Sequence, residues 1–261
     1  MLDANLKNQL KTILTEKVTE DVVLASSLDD SKKSAEMAEL LDQIAELSDR
    51  VTHERRDDYD ERRPSFAIER PGADISIRFA GLPLGHEFSS LVLALAQVGG
   101  NPVKESEETI AAVKGLDKDL KFVTYMSLTC QYCPTVVQAL NTMAVLNPRI
   151  EHVAVEGSAF QDEVSEKNIQ AVPTIYLNGE EWGSGRMDIA DFVDRLDDSA
   201  ADRLAESVKD KDPFDVLVVG GGSAAVAASI YAARKGLRTG MVADRIGGQI
   251  LDTVGIENFI S

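Results

Sequence analysis

Apolar residues along the 261-residue chain fall in short blocks whose spacing alternates between helical and extended. Leu6, Leu10, Ile13 and Leu14 predict a first helix, and Asp21-Val-Val-Leu-Ala a short strand. Met37, Leu40, Leu41, Ile44 and Leu47 mark one face of a second helix from about Ser34 to Leu47. The charged run from Glu54 to Arg63 reads as a solvated loop. Strands at Ser65–Glu69 and Ile75–Phe79 bracket the turn residues Arg70-Pro-Gly-Ala-Asp, and a helix from His86 to Val98 leads into Gly99-Gly-Asn-Pro102.

The following residues repeat this order. A helix over Lys104–Lys114 precedes a strand at Leu120–Ser127, a helix to Leu146, a strand at Glu151–Glu156 and a helix over Phe160–Asn168. Strands at Thr174–Leu177 and Glu181–Ser184 flank Asn178-Gly179, a strong hairpin signal, and a helix over Asp188–Leu196 ends the block. Both halves read in outline helix, strand, helix, strand, strand, strand, helix, although little residue identity links them. The pattern then fades into a polar linker, and a buried parallel-strand signature, Asp215-Val-Leu-Val-Val-Gly220, opens a new domain. The expected divisions are 1–101, 102–197, a linker over 198–212, and 213–261.

Composition narrows the function. Asp and Glu number 44 against 27 Lys and Arg, giving a formal charge of −17, so phosphate backbones are repelled and nucleic acid is not an expected partner. The amphipathic N-terminus lacks the apolar core of an export signal, and the longest clean apolar run, Leu91 to Ala96, is too short to span a bilayer. A cytoplasmic protein without membrane insertion is expected.

The chain has two cysteines, Cys130 and Cys133, placed where an extended run turns into a helical pattern. A helix start puts both sulfurs beside open backbone N–H groups and the positive end of the helix dipole, which favour thiolate over thiol. The pair therefore reads as a redox dithiol. No further Cys or nearby His completes a zinc site within the chain, so no metal is expected, although a site shared between chains stays open. A structural disulfide closing so short a loop would constrain little of the unfolded chain. By position Cys130 is the more exposed sulfur and the expected nucleophile, with Cys133 one turn on as the resolving thiol. His53, His86 and His152 sit in no motif and are expected to be packing or surface residues.

Around these cysteines the second half resembles the thioredoxin and glutaredoxin fold, with Ala171-Val-Pro173-Thr174 at the place of that family's cis-proline loop; a trans loop proline is the alternative. The first half has no cysteine, its Pro71 and Pro83 read as turn residues, and it is expected to be an inactive supporting copy. In the last block, Gly220-Gly-Gly222-Ser-Ala-Ala225 is a G-x-G-x-x-A turn between strand and helix: Gly220 for the tight turn, Gly222 for approach of a pyrophosphate, Ala225 for close packing, and Asp244 for ribose hydroxyls.

Gly247-Gly248-Gln249 and Ile256-Glu257-Asn258 resemble the FAD-contacting stretch of thioredoxin-reductase-like flavoproteins. With the duplicated front half, the whole chain is similar to the flavoprotein components of bacterial alkyl hydroperoxide reductases. The fold class this implies is α/β: two tandem thioredoxin-like folds followed by the first βαβ unit of a Rossmann-type FAD domain. The resemblance implies electron flow from NADH through FAD and a flavin-side dithiol to the Cys130–Cys133 redox disulfide, and on to the disulfide of a partner peroxiredoxin. It implies FAD contacts at Gly248, Gln249 and Asn258, a homodimer formed through the flavoprotein portion, and a buried acid at Glu87 that assists proton transfer; a helix-start glutamate favoured by the dipole is the alternative. Because the sequence stops at Ser261, inside the flavin domain, it is expected to hold FAD weakly or not at all. A general glutaredoxin-like oxidoreductase and a docking module that tethers a flavin domain are the competing readings.

Overall fold

The computed structural model describes residues 2–56, 62–196, 213–243 and 247, and the chain divides into two compact units, Met1–Asp198 and Ser199–Ser261. In the first unit, α1 (Ala4–Lys17) begins where the Asp3 carboxylate accepts the Leu6 N–H, satisfying one of the open donors of the first turn. Then follow β1 (Val22–Ser27), α2 (Lys32–Ala45), β2 (Val51–Arg55), β3 (Ser65–Glu69) and β4 (Ser76–Ala80), and a single 3-10 turn, Gly85–Glu87, runs into α3 (Phe88–Val98). The second half contains α4 (Glu107–Lys114), β5 (Leu120–Met126), α5 (Cys133–Leu146), β6 (Ile150–Glu156), α6 (Gln161–Glu166), β7 (Thr174–Leu177), β8 (Glu180–Ser184) and α7 (Ile189–Leu196).

Two sequence expectations need correction. The charged run from Glu54 begins inside a strand, not a loop: β2 pairs in parallel with β1, from Val22↔Val51 to Ser26↔Arg55, as the outermost strand of its sheet. Only Val51 of β2 is buried, so its charge reflects an exposed edge. The cysteine helix starts at Cys133, which leaves Cys130 in the preceding turn.

All eight strands of the first unit form one sheet in the order β2-β1-β3-β4-β6-β5-β7-β8. Within each half the second strand runs parallel to the first, and the third and fourth are antiparallel. The halves join through parallel pairing of β4 with β6, from Ser76↔Glu151 to Ala80↔Val155. One hydrophobic core spans both halves on one sheet face, with Phe66 stacked on Phe79 and Phe122 edge-on to Phe192. A smaller cluster around Tyr125, Val155 and Tyr176 covers the other face. There Glu163 accepts a bidentate pair from Arg62 of the first half, at 2.7 and 3.0 Å, and a 2.5 Å hydrogen bond from the Tyr125 hydroxyl.

The duplication is visible in side chains. His53 on β2 pairs with Ser26 at 2.8 Å and with Asp42 at 2.7 Å, and His152 on β6 pairs with Thr124 at 2.9 Å and Asn141 at 2.7 Å. The same shift along the chain relates Asp42 to Asn141 and His53 to His152, and relates buried Met37, Leu40, Leu41 and Ile44 of α2 to buried Val136, Ala139, Leu140 and Met143 of α5. These histidines are thus packing residues with both ring nitrogens satisfied.

His152 is fully buried among neutral partners, and burial pushes its pKa down to about 3 from an ordinary 6.5. The unfolded chain takes up a proton below about pH 6.5 that the folded chain refuses, so this residue makes stability fall with pH across that window. Between pH 7 and 5 the protein is expected to lose up to ~2 kcal/mol more than a His152→Gln variant, at ~1.4 kcal/mol per pH unit for one proton. Urea unfolding of both proteins at the two pH values measures the difference, and equal losses would exclude the assignment.

Candidate active site

β5 delivers the chain to a tight turn over Ser127–Thr129, and Cys130 and Cys133 close a disulfide at the start of α5. Cys133 is fully buried, whereas Cys130 is partly accessible. The Cys133 backbone N–H donates to Cys130 Sγ at 3.1 Å, and no side chain caps the N-terminus of α5, so the helix's partial positive charge falls on that sulfur. Pro134 lies in the first turn, where its missing N–H costs nothing. The Val172–Pro173 bond is cis, and the Val172 carbonyl oxygen lies 3.8 Å from Cys130 Sγ. Pro173 and the cysteines are therefore brought together. Tyr132, 60% exposed, and Val172, 37% exposed, are the exposed large apolar side chains among the described residues of the first unit, and both flank Cys130.

Glu87 reaches this region from the other half of the unit. Its 3-10 turn packs against α5, and the His86 N–H donates to the Leu128 carbonyl in the loop before the cysteines at 3.0 Å. Glu87 is completely buried, and neither carboxylate oxygen has a hydrogen-bond partner in the structure. Burial pushes its pKa up to about 7 from 4.5. The two helices beside it, α3 and α5, carry no Asp, Glu, Lys, Arg or His, so Cys133 is the titratable group on them.

The first half keeps the geometry of this site without its sulfur. Ser31 and Ser34 stand where Cys130 and Cys133 stand in the second half: the Ser34 N–H donates to Ser31 Oγ at 3.2 Å. Arg63–Pro64 is cis and immediately precedes β3, as Val172–Pro173 precedes β7. Sequence reasoning noted Pro71 and Pro83 and missed Pro64; its place directly before the Ser65 strand, matching Pro173 before Thr174, was the available signal. Asp29 accepts the Ser31 N–H and, at 2.6 Å, the Ser34 hydroxyl, and these bonds hold its carboxyl down at about 2.

Residues 121–197 match the thioredoxin domain family. The alkyl hydroperoxide reductase F protein (AhpF) of Pseudomonas putida is 59% identical over all 261 residues, which make up 50% of that protein. A solved N-terminal domain of alkylhydroperoxide reductase AhpF from Enterococcus faecalis is 30% identical with a TM-score of 0.69, covering 75% of this chain and 100% of that one. The chain belongs to the AhpF family of alkyl hydroperoxide reductases. It spans about half the length of the curated relatives it matches. A protein disulfide oxidoreductase from Aeropyrum pernix shares the fold, at 23% identity and a TM-score of 0.65, over 77% of this chain and 96% of that one.

The second unit of this AhpF-family chain has β9 (Val216–Val219) and β10 (Thr239–Val242) paired in parallel around α8 (Ser223–Arg234). Gly220 has φ +129°, a conformation side chains resist, and a Cβ there would meet Ala225 at 3.7 Å. Nothing lies within 4 Å of a Cβ built on Gly222, and no side chain caps α8, so a phosphate has room and donors there. Gly220, Gly222 and Ala225 thus fit the pyrophosphate of a dinucleotide such as FAD. Asp244, Gly248, Gln249 and Asn258 lie outside the described residues. Among the described residues of this unit none is buried, and Val219 is 81% exposed.

The asymmetry in burial sets the order of thiol reactivity. In the reduced chain, iodoacetamide is expected to modify Cys130 at least ~10-fold faster than Cys133 at pH 7, read by peptide mass spectrometry. Equal rates would contradict the assignment of Cys130 as the accessible sulfur.

Proposed function

We propose that this chain carries the disulfide-transfer half of an alkyl hydroperoxide reductase flavoprotein, passing two electrons from a flavin-side dithiol to the cystine of a partner peroxiredoxin in the cytoplasm. The observation that supports it best is the pairing of a partly accessible Cys130 beside cis-Pro173 with a buried Cys133 at a helix N-terminus. A partner has room beside the disulfide: a groove of about 880 Å3 between α1, α3, α4, α5 and α7 includes Pro134 and Thr135 in its wall.

In the reduced form, the Cys130 thiolate attacks one sulfur of the partner's cystine. A Cys130–partner disulfide forms as the partner's bond breaks, and the second partner sulfur leaves as thiolate. Cys133 then loses its thiol proton to the Glu87 carboxylate, and its thiolate attacks Cys130 Sγ. The Cys130–Cys133 disulfide closes and the remaining partner sulfur leaves as thiolate. Glu87 suits this step because a base with pKa near 7 is both deprotonated enough and basic enough at neutral pH. FAD, when held by the Gly220–Ala225 turn and the rest of its domain, supplies the electrons taken from NADH.

In stopped-flow reduction of an oxidised peroxiredoxin, Cys130→Ser is expected to abolish turnover. Glu87→Gln is expected to slow the release of reduced partner at least ~10-fold and to remove the rate's inflection near pH 7. Undiminished reduction by Cys130→Ser would sink the relay. Equal rates on a broad panel of protein disulfides would favour a general oxidoreductase.

A further inference from the structure

We infer that Arg62, on the half without cysteines, is a positioning residue for disulfide exchange: with Tyr125 it holds Glu163, and through Glu163 it fixes the Val172–Pro173 loop against Cys130. This rests on the reading of Cys130 as the sulfur that meets a partner's cystine, and it gives the first half a part in that reaction.

Glu163 lies on α6, the element that leads into that loop. α6 is six residues long, none of them buried, and no side chain caps its N-terminus. A helix this short does not hold itself together in water, so its place depends on what it touches. Val164 and Ile169 pack, partly buried, on the cluster of Tyr125 and Tyr176, and the Ile169 N–H closes on the Val164 carbonyl at 3.0 Å. The polar anchor is Glu163. Arg62 reaches both of its oxygens, at 2.7 and 3.0 Å, and the buried Tyr125 hydroxyl donates to one of them at 2.5 Å. The Arg62 and Glu163 side chains are only 25% and 22% exposed. A bidentate pair so far withdrawn from water, with a third bond from a hydroxyl, is screened much less than a surface ion pair.

Each member of this node sits on a segment that ends at a loop of one of the two sites. Glu163 is followed within the same stretch by Val172, whose carbonyl oxygen lies 3.8 Å from Cys130 Sγ. Tyr125 is on β5, the strand that runs on to Cys130, and it pairs across the sheet with Thr174, the residue after Pro173. The Tyr176 ring meets Tyr125 edge-on, and its hydroxyl donates to the Lys167 carbonyl at the end of α6, at 3.4 Å. Arg62 stands immediately before Arg63–Pro64, the matching loop of the first half. Glu163 thus fastens the strand that delivers the sulfur to the helix that delivers the loop, and Arg62 fastens both to the other half. Without Arg62 the carboxylate keeps one neutral donor in a mostly buried place, and α6 gains by relaxing toward water. The loop moves with it. A protein substrate must meet both the sulfur and the exposed Val172 side chain, whereas a small disulfide needs the sulfur alone.

The test compares stopped-flow reduction of an oxidised peroxiredoxin by the reduced chain with its reduction of 5,5′-dithiobis(2-nitrobenzoate). Arg62→Ala is expected to raise the half-saturating peroxiredoxin concentration about 10-fold, while the limiting rate and the rate with the small disulfide stay within about 2-fold. It is also expected to speed amide hydrogen exchange at Val164, Lys167 and Ile169 about 10-fold. Arg62→Lys is expected to recover part of the loss, and Tyr125→Phe to act in the same direction by less. Arg56→Ala, which breaks ion pairs to Glu54 and Glu69 within the first half, is expected to change neither substrate's kinetics. Thermal melts identify a variant that fails to fold, in which case Tyr125→Phe decides. If Arg62→Ala and Tyr125→Phe leave the half-saturating concentration unchanged while Cys130→Ser abolishes reduction, this inference fails and the relay stands. Equal slowing of both substrates by Arg62→Ala would make its role one of general stability and also overturn the inference. If Cys130→Ser still reduces the peroxiredoxin, the relay reading fails and the role of Arg62 with it.

Discussion

Parallel pairing of β4 with β6 is the constraint on which the site depends, because it welds two similar halves into one sheet and lets each complete the other. The chain leaving β4 must cross directly over the loop that leads to the cysteines. Gly85 makes that crossing possible: its φ is +57°, and a Cβ there would stand 2.6 Å from the Leu128 carbonyl oxygen. His86 then bonds to that loop, and Glu87 buries its carboxyl behind it. Neither half could assemble this arrangement alone, since the sulfurs belong to one and the acid to the other. The Arg62–Glu163 pair on the opposite sheet face ties the halves a second time, and there the hydrogen bonds from Arg62 and Tyr125 outweigh burial and keep Glu163 below its ordinary pKa.

Duplication with divergence explains why only one half holds a redox pair. Both halves place a small side chain that accepts a backbone N–H at the start of a helix, and both place a cis-proline before the third strand. In the second half the group at that position is a sulfur whose charge appears only when the disulfide opens. In the first half the Asp29 carboxylate supplies a permanent negative charge to the same kind of helix start, so the dipole is already satisfied. The duplication also leaves two outer edges, β2 and β8, equivalent to the strands that join in the middle.

Much of this was legible in the sequence wherever a rule is local. Cys130 and Cys133, the Asn178-Gly179 hairpin and the Gly220–Ala225 turn declare themselves because spacing and residue type alone carry their chemistry. The apolar periodicity of α2, α3 and α5 gave the core helices with small errors at their ends. β2 was lost because an edge strand buries almost nothing, and its Thr52-His-Glu-Arg55 run looks like surface. Pro64 was lost because its meaning lies in a fold-level equivalence that the slight identity between halves conceals. The resemblance pointed to Glu87, but its isolation between two charge-free helices depends on which helix faces meet across more than forty residues of chain.

That isolation is the feature hardest to account for on stability alone. Folding raises the Glu87 pKa from 4.5 to about 7, so the folded chain takes up a proton that the unfolded chain releases, and the contribution is lost as pH rises through 7. At high pH the burial costs on the order of 3 kcal/mol, a large share of the marginal stability of an ordinary domain. A glutamine or leucine would avoid that cost, and a lysine or arginine on α3 or α5 would relieve it. Neither remedy is present, and α3 and α5 stay free of charge over their whole length. His152 opposes Glu87 between about pH 4.5 and 6.5, giving up a proton on folding where Glu87 gains one, so the fold's overall pH dependence hides the acid's cost. A carboxyl held at this cost beside a disulfide fits a group that must exchange a proton each time the sulfurs change state, and fits poorly with a packing residue.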